Sequence, residues 1–335
     1  MPEDAGERYL GAARAALAAF GVRPASLALH VIAENITFRL ADADDGRDYV
    51  LRLHRPGYRS LAALESEHAW TSALRAAGIA VPRSRLSLAG TPYVEVPVDD
   101  GGGPRHAGML EWIPGEPLSV LMRRDGQSAD AVRAFGALGT LLARLHRLSE
   151  GWRPPAGFDR PSLDAEGLLG EQPLWGRFWE HPSLGDADRH CILAVRRALH
   201  ARLAALDHEP RHYGVIHADL HTENLVVADG LLAAIDFDDA AHGWYAYDIA
   251  VALEPCQDRA DHAQLRAALL AGYRALRPFD ARDEALLDDF LVVRGLALIG
   301  WYLQRPEVEA AEPELFAAIR ERTLRQCRAA ARPGA

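Results

Sequence analysis

The chain has 335 residues, of which 49% are hydrophobic and 25% are charged, as in a globular protein large enough for two lobes or domains. Its formal net charge of −10 argues against a nucleic-acid polymer as partner, because binding to a phosphate backbone needs clustered Lys and Arg. It has three widely spaced cysteines, no signal-peptide-like N-terminus and no apolar run long enough to span a bilayer. These features predict a cytoplasmic protein without disulfides or membrane contact.

The first third of the chain predicts a small, mostly antiparallel β lobe. Residues 6–20 place apolar side chains on one helical face. Strand-like segments at 26–40 and 48–55 flank Asp45-Gly46, which is a strong hairpin signal. The elements expected next are a helix at 60–78, strands at 83–89 and 93–98, a loop at 99–108 and a short strand from 109.

From residue 119 onward the pattern is mainly helical. Helices are expected at 128–149, 187–207, 260–276, 283–304 and 311–330. Two short apolar stretches, 214–218 and 231–237, are expected to form buried strands. The sequence thus predicts an α+β fold with an N-lobe at 1–108, a hinge at 109–118 and a mostly helical C-lobe at 119–335.

Acidic, histidine and asparagine side chains are concentrated around these two strands. His217-Ala218-Asp219 is followed after four residues by Asn224, and the next apolar strand leads to Asp236. Phosphoryl transfer needs a carboxylate beside the acceptor hydroxyl and oxygen ligands for the Mg²⁺ on the ATP phosphates. We therefore expect Asp219 to accept or orient the acceptor proton, and Asn224 and Asp236 to bind Mg²⁺.

Two other interpretations of this segment stay open at this point. The stretch HADLHTEN is also compatible with a polar turn in which Asp219 and Asn224 merely cap a helix. Alternatively, His217, Asp219 and His221 form an HxDxH cluster in which Zn²⁺ or Fe²⁺ activates water for a hydrolase. The hydrolase interpretation leaves Asn224 and Asp236 without a role, so phosphoryl transfer is preferred.

A cation that binds the nucleotide phosphates is expected in the small lobe. In kinases this cation lies on the third strand and pairs with a Glu on the following helix. Arg52 occupies the strand position, and Glu67 is preferred over Glu65 as its partner because of its place on the helix. Taken alone, Arg52 is equally compatible with a surface arginine on an edge strand.

With these residues in place, the sequence resembles the aminoglycoside phosphotransferase and choline kinase-like family, which shares the protein-kinase fold. The resemblance covers nearly the whole chain and rests on ENITFRL, YVLRLHRPGYRS, EHAWTSALRAAGIAVP, LEWIPGEPL, LLARLH, HADLHTEN and IDFDDAAHGWYAYDIA. Within the family it is most similar to the bacterial branch of homoserine kinase-like, hydroxylysine kinase-like and stress-response Ser/Thr kinase proteins.

The resemblance implies an ATP- and Mg²⁺-dependent kinase that binds ATP between its lobes. It implies that the backbone around Glu111, Trp112 and Ile113 contacts the adenine. It also implies that Asp219 is the catalytic aspartate and that Asn224 and Asp236 are the metal ligands. Structural roles are implied for two residues, Asp248, which matches an aspartate that braces the catalytic loop, and His217.

Three departures from the protein-kinase pattern affect the expected nucleotide contacts. The phosphate-covering loop reads Ala33-Glu34-Asn35-Ile36 and has no glycine, so Glu34 and Asn35 are its candidate contacts. Arg52 replaces a lysine, which exchanges a point charge for a planar fork. DFD replaces DFG, and Asp238 and Asp239 are expected to bind metal, to bind a cationic substrate amine, or to be solvated.

The short segment after the predicted metal ligand favours a small acceptor. Only eleven residues separate Asp236 from Asp248, and no peptide-platform Ala-Pro-Glu anchor follows. An acidic, aromatic-walled pocket for an amino alcohol, amino acid or aminosugar is predicted from Asp238, Asp239, Glu254, Trp244, Tyr245, Tyr247 and Trp301. The alternative is that these aromatic residues belong to the core.

Arg294, a charge inside an apolar helix, is expected either to bind an acceptor carboxylate or to pair with a buried Asp. Two further functions also stay open. One is a Ser/Thr protein kinase of the stress-response type. The other is a non-catalytic nucleotide-binding scaffold, which is conceivable because the glycine loop is missing.

Overall fold

The computed structural model describes residues 4–32, 35–98, 101, 103–123, 128–228 and 230–331. The chain divides into two compact units. The first unit contains residues 1–116, 153–160 and 226–238, and the second contains residues 117–152, 161–225 and 239–335. Two short segments from the later part of the chain therefore belong to the first unit.

The first unit is built on a six-stranded antiparallel sheet with two helices. Its elements are α1 Asp4–Ala19, β1 Pro24–Ile32, β2 Ile36–Asp42, β3 Asp48–Leu53, α2 Leu61–Ala76, β4 Ser84–Arg85, β5 Tyr93–Val96 and β6 Arg105–Glu111. The strand order is β1-β2-β3-β6-β4, and β5 also pairs with β6. The predicted loop at 99–108 is therefore wrong for its last four residues. Pairing with β3 and β5 on either side gives Arg105–Gly108 a strand conformation that no local pattern reveals.

The core of this unit lies between α1 and the sheet. Ala13, Leu17 and Phe20 of α1 are buried with Phe38 and Leu51 of the sheet. Truncation of a large side chain that is fully buried in such a core costs about 3–5 kcal/mol of folding free energy.

Helix α2 begins after Ser60, whose Oγ accepts the Ala63 N–H at 3.0 Å as an N-cap.

The remaining elements run in chain order to the end of the chain. They are β7 Glu116–Pro117, α3 Leu118–Met122, α4 Ser128–Gly151, β8 Ser162–Leu163, α5 Ala165–Leu169, α6 Asp186–Ala204, β9 Tyr213–Ile216, β10 Leu225–Ala228, β11 Leu231–Ala234, β12 Ala241–Trp244, α7 Tyr245–Leu253, α8 His262–Arg274, α9 Ala281–Ala285, α10 Leu287–Leu303, α11 Pro306–Ala311 and α12 Pro313–Ala330. Strands β11, β10 and β7 form one small sheet, and β8, β12 and β9 form another. None of the helices in the described part of the chain is long and apolar enough to cross a membrane.

Helices α4 and α8 of the second unit approach each other closely through glycines. A Cβ atom on Gly139 would lie 1.9 Å from the carbonyl oxygen of Leu269, and a Cβ on Gly272 would lie 2.0 Å from that of Gly136. Only residues without a side chain permit this backbone approach. This helix contact fixes the position of α4, which carries His146, a buried residue that contacts Asp248 of α7.

Two elements beside the catalytic segment have no signal in the sequence pattern. Strand β12 pairs antiparallel with β9 and parallel with β8, and α7 follows it directly. All nine residues of α7 are buried, so the helix lacks the polar face that amphipathic periodicity needs. The predicted helix at 283–304 is also divided, into α9 and α10.

Candidate active site

The catalytic loop of the second unit follows β9 and is held by a buried carboxylate. Asp248, on α7, accepts the backbone N–H groups of His217 at 3.1 Å and Ala218 at 2.8 Å. Ala218 has a φ of 66°, a left-handed conformation that non-glycine residues rarely adopt without support. Asp248 therefore lies where a residue that braces this loop is expected, and His217 beside it is fully buried.

A second buried residue, His146 on α4, positions Asp248 in turn. Its Nε2 lies 3.1 Å from Oδ2 of Asp248, and its Nδ1 lies 2.9 Å from the hydroxyl of Tyr273. Burial lowers the pKa of His146, so the ring is neutral near pH 7. Because a carboxylate can only accept, Nε2 carries the proton and Nδ1 accepts from Tyr273. His146 ends the LLARLH stretch, but no role was predicted for it from the sequence.

The carboxylate of Asp219 is fixed from both sides. Nη2 of Arg294 lies 2.5 Å from Oδ1, while Nδ2 of Asn224 at 3.1 Å and Nε2 of His221 at 3.3 Å contact Oδ2. Nδ2 of Asn224 also donates to the Asp219 carbonyl at 3.0 Å. The structure therefore places the predicted catalytic aspartate, the predicted ligand Asn224 and Arg294 together in the second unit.

This environment keeps Asp219 ionised. Burial on its own would raise the pKa of Asp219, but the Arg294 guanidinium and the His221 imidazole outweigh it and hold the pKa below its usual range. Burial would likewise lower the pKa of His221, but the Asp219 carboxylate outweighs it and raises this pKa. Of the two expectations for Arg294, pairing with an Asp is the one that the structure displays.

The predicted residues of the first unit are arranged around Arg52 on β3. Its Nη2 lies 3.1 Å from Oδ1 of Asp236, and its Nη1 lies 3.3 Å from Oδ1 of Asp238. The expected pairing of Arg52 with Glu67 is therefore wrong: among the described residues its ion pairs are made with the two aspartates of DFD. A planar guanidinium can reach two carboxylates at once, and Asp238 supplies a carboxylate where protein kinases have glycine.

Glu67 lies beside this cluster as a buried acid. It is 7% exposed, and burial together with the neighbouring Asp238 carboxylate raises the pKa of Glu67 to about 8. Burial would raise the pKa of Asp238 as well, but Arg52 outweighs it and lowers this pKa to about 2. Glu67 is thus protonated at neutral pH and donates toward the Asp238 carboxylate, rather than serving as a counter-ion for Arg52.

Several of the predicted nucleotide-contact residues make hydrogen bonds to other residues of the first unit. Nδ2 of Asn35 donates to Oδ2 of Asp238 at 2.5 Å, whereas Glu34 lies outside the described residues. The N–H of Glu111 donates to Arg83 at 2.8 Å, and that of Trp112 donates to Asp48 at 2.9 Å. The amide of Ile113 makes no hydrogen bond within the described part of the chain.

The residues expected to hold a divalent metal have suitable donor chemistry. Asn224 uses its amide nitrogen for both contacts with Asp219, and no described residue donates to its Oδ1. The Asp236 side chain is 44% exposed and has a φ of 63°, so its carboxylate is accessible at a sharp bend of the chain. Amide and carboxylate oxygens are the ligands that Mg²⁺ prefers.

The HxDxH interpretation finds no such support. Nδ1 of His217 lies 3.3 Å from the backbone N–H donor of Asp219, and His221 caps the turn that follows it. Among the residues that the structure describes, no three His, Cys, Asp or Glu side chains are grouped so that they could hold a metal ion.

The predicted acceptor pocket is wrong for Trp244 and Tyr245. Trp244 and Tyr245 are each only 2% exposed. Tyr245 stacks on His146 with ring centroids 4.4 Å apart and donates its hydroxyl to the Pro210 carbonyl at 3.1 Å. Trp244 packs against Phe290. Both aromatic side chains are core residues, because the segment that carries them is buried on every side.

The acidic candidates for the acceptor pocket have separate environments. Glu254 is buried and pairs with Arg322, so it is not available as an open pocket wall. Asp238 is engaged by Arg52 and Asn35 in the first unit. Asp239 belongs to the second unit and is partly exposed.

One residue near the DFD segment was not anticipated. Arg160 donates from Nη1 to the Ala63 carbonyl at 3.2 Å and from Nη2 to the carbonyls of Phe237, at 3.2 Å, and Asp238. It lies in the segment 153–160, which carries no motif. An arginine in a short connecting segment is its only sequence feature, and this feature is too common to indicate a function.

Comparison with known proteins defines the class of this site. Residues 29–284 match the model of the phosphotransferase enzyme family (APH). A homoserine kinase from Methylobacterium radiotolerans is 36% identical over 205 residues, which cover 56% of this chain and 57% of that relative. The solved structure of a microcompartment-associated aminopropanol kinase is 30% identical, with a TM-score of 0.77 over 95% of this chain and 94% of that one.

An amicoumacin kinase solved with AMP-PNP and Ca²⁺ has the same fold, with a TM-score of 0.78 at 24% identity over 97% of this chain and 96% of that one. The protein is a phosphotransferase with the protein-kinase-like α+β fold, as the sequence predicts. More particularly, the chain belongs to the phosphotransferase enzyme family (APH). This assignment replaces the scaffold and hydrolase alternatives.

Proposed function

We propose that the protein transfers the γ-phosphoryl group of ATP, bound with Mg²⁺, to a hydroxyl group of a small molecule in the cytoplasm. The observation that carries this proposal is the fixed carboxylate of Asp219, held by Arg294 and Asn224 immediately after β9. Membership of a phosphotransferase family supports it. Only eleven residues separate Asp236 from Asp248, which leaves little chain for a peptide platform and favours a small acceptor.

Asp219 orients the acceptor hydroxyl in this proposal. Among the described residues, Oδ1 accepts a hydrogen bond from Arg294 alone, so a second lone pair on this oxygen can accept the acceptor proton. Phosphoryl transfer passes through a loose transition state in which little proton abstraction is needed early on. A carboxylate with a low pKa is therefore sufficient to align the hydroxyl and to receive its proton as the new ester bond forms.

Asn224 and Asp236 bind the metal in this proposal, through an amide oxygen and a carboxylate oxygen. Mg²⁺ bound by these residues would neutralise charge on the triphosphate. Arg52 keeps Asp236 and Asp238 in place with one N–H from each terminal nitrogen and retains further N–H groups for phosphate oxygens. The Ile113 amide, with the backbone of Glu111 and Trp112, contacts the adenine.

The acceptor class is proposed to be an amino alcohol, an amino acid or an aminosugar. Two named relatives are kinases of amine-bearing hydroxyl compounds, homoserine and aminopropanol. Asp239 is the candidate for the acceptor amine, because it is partly exposed and belongs to the same unit as Asp219. Glu34 stays a proposed phosphate-loop contact.

Incubation with labelled ATP tests the proposal. We expect label on small molecules from a panel of amino alcohols, hydroxy amino acids and aminosugars, and none on the protein itself or on a generic protein substrate. Label found only on protein would instead establish the Ser/Thr kinase alternative. Thermal-shift measurements with ATP, with and without Mg²⁺, provide the matched binding readout.

A further inference from the structure

The segment 153–160 belongs to the first unit and ends in the buried Arg160. The Arg160 side chain contacts both α2 and the loop that follows Asp236. We infer that Arg160 is a positioning residue that holds the Asp236 loop against α2 and thereby sets the Mg²⁺ affinity of the site. This inference rests on the proposed role of Asp236 as a metal ligand. It assigns to Arg160 a function that neither its type nor its place in the sequence indicates.

The contacts of Arg160 connect the loop to the helix. Its side chain is 7% exposed and donates to three backbone carbonyls, those of Ala63, Phe237 and Asp238. A guanidinium is suited to this geometry because its N–H groups diverge in one plane. Ala63 lies in the first turn of α2, so a single side chain links α2 to the two residues that follow Asp236.

The Asp236 loop needs such an anchor because of its backbone conformation. Asp236 has a φ of 63°, which costs conformational energy in a residue other than glycine and persists only where surrounding contacts enforce it. The two carbonyls that follow this bend both accept from Arg160. A comparable anchor is present in the second unit at the left-handed residue Ala218, but there the side chain accepts hydrogen bonds. Asp248 accepts the backbone N–H groups of His217 and Ala218.

The residue before Arg160 strengthens its link to α2. The N–H of Asp159 donates to Oγ of Ser66 at 2.8 Å, and Oγ of Ser60 donates to Oδ2 of Asp159 at 3.1 Å. On the loop side, the Phe237 ring meets the Trp70 ring edge-on, with centroids 5.5 Å apart. The loop and the first half of α2 thus share one anchor, and a change at Arg160 is transmitted to both.

The test compares Arg160 with another arginine of the same unit. Arg160→Met removes the donors but retains an apolar stem of similar length. Arg85→Met is the matched control, because Arg85 also bridges several groups of the first unit, Asp42, Asp45 and Tyr49, and within the described residues it makes no hydrogen bond to the Asp236 loop. Asp236→Asn reports separately on the proposed metal ligand.

The measurement is calorimetric titration of the full-length protein with an ATP analogue at a series of Mg²⁺ concentrations. We expect Arg160→Met to raise the Mg²⁺ concentration for half-maximal enhancement of nucleotide binding by about tenfold or more, as for other residues that orient metal ligands. Affinity for the nucleotide without metal should stay close to that of the wild type. Arg160→Lys, with fewer directed donors, should fall between Arg160→Met and the wild type.

The outcomes separate this inference from the proposed function. Arg160→Met and Arg85→Met with the same Mg²⁺ dependence as the wild type, while Asp236→Asn loses it, would overturn the role of Arg160 alone. An unchanged Mg²⁺ dependence in Asp236→Asn would overturn the metal assignment, and the role of Arg160 with it. If Arg160→Met does not fold, the shift in Arg160→Lys decides, and no shift in that variant overturns the inference.

Discussion

Nη2 of Arg294 lies 2.5 Å from Oδ1 of Asp219, which joins α10 to the catalytic loop. Arg294 is 7% exposed in a helix that is otherwise almost entirely apolar. A buried guanidinium is costly unless a carboxylate compensates its charge. The two residues therefore act as one unit, in which the arginine fixes the carboxylate and the carboxylate makes the buried arginine tolerable.

Replacement of Arg294 by Met should move the acid side of the pH–rate profile to higher pH. The guanidinium lowers the pKa of Asp219 against the effect of burial, so its loss lets burial raise this pKa. The carboxylate is then protonated at a higher pH than in the wild type. Arg322→Met is the control, because it removes a similarly buried arginine that pairs with Glu254 in the same unit. Identical profiles for Arg294→Met and the wild type would refute the electrostatic role.

Gly139→Ala should destabilise the second unit. The added methyl would meet the Leu269 carbonyl at 1.9 Å, so α4 and α8 must separate. Overpacking of this kind costs about 1–3 kcal/mol and exceeds the gain in helix propensity of up to about 1 kcal/mol. Gly151→Ala, at the end of the same helix with nothing within 4 Å of the new methyl, should be neutral or stabilising. Urea denaturation of the two variants compares them directly, and equal midpoints would contradict the close packing.

The stability of the protein should fall in mild acid partly because of His54. Burial lowers the pKa of His54 to about 4, below the unfolded value of about 6.5. The folded state thus resists protonation, and the contribution of this residue is complete above pH 6.5 and decreases as the pH falls toward 4. Between pH 7 and pH 5 this loss amounts to about 2 kcal/mol. The free energy of unfolding of His54→Phe should therefore depend less steeply on pH between pH 7 and pH 5 than that of the wild type. An unchanged slope would show that His54 is not buried as described.

The local part of the site was accessible from the sequence. Asp219 and Asn224 are five residues apart, so a single loop brings them together, and their hydrogen bond at 3.1 Å needs no tertiary information. The same holds for α2, whose helical spacing predicted a helix at 60–78. The change from strand to helix periodicity predicted the α+β class, and the resemblance carried by the motifs implied the protein-kinase-like fold.

Partners distant in the sequence were not accessible in this way. Arg52 was assigned to Glu67 by analogy with kinases, but Asp236 and Asp238 present two carboxylates to its fork. Trp244 and Tyr245 were assigned to a pocket because aromatic residues look alike in cores and in binding sites. Arg160 has no informative sequence signal, because it donates to backbone carbonyls, which every residue has.

The most direct test of the account is acceptor-stimulated ADP release by the wild type and by Asp219→Asn, with the phosphorylated product identified by mass spectrometry. We predict that at least one small amine-bearing alcohol accelerates release in the wild type and carries the new phosphate ester. Asp219→Asn should lower the rate by about 10²–10⁴-fold while ATP still binds. An equally active Asp219→Asn enzyme, or phosphate found only on protein, would contradict the assignment of Asp219 to the transfer of phosphate to a small-molecule hydroxyl.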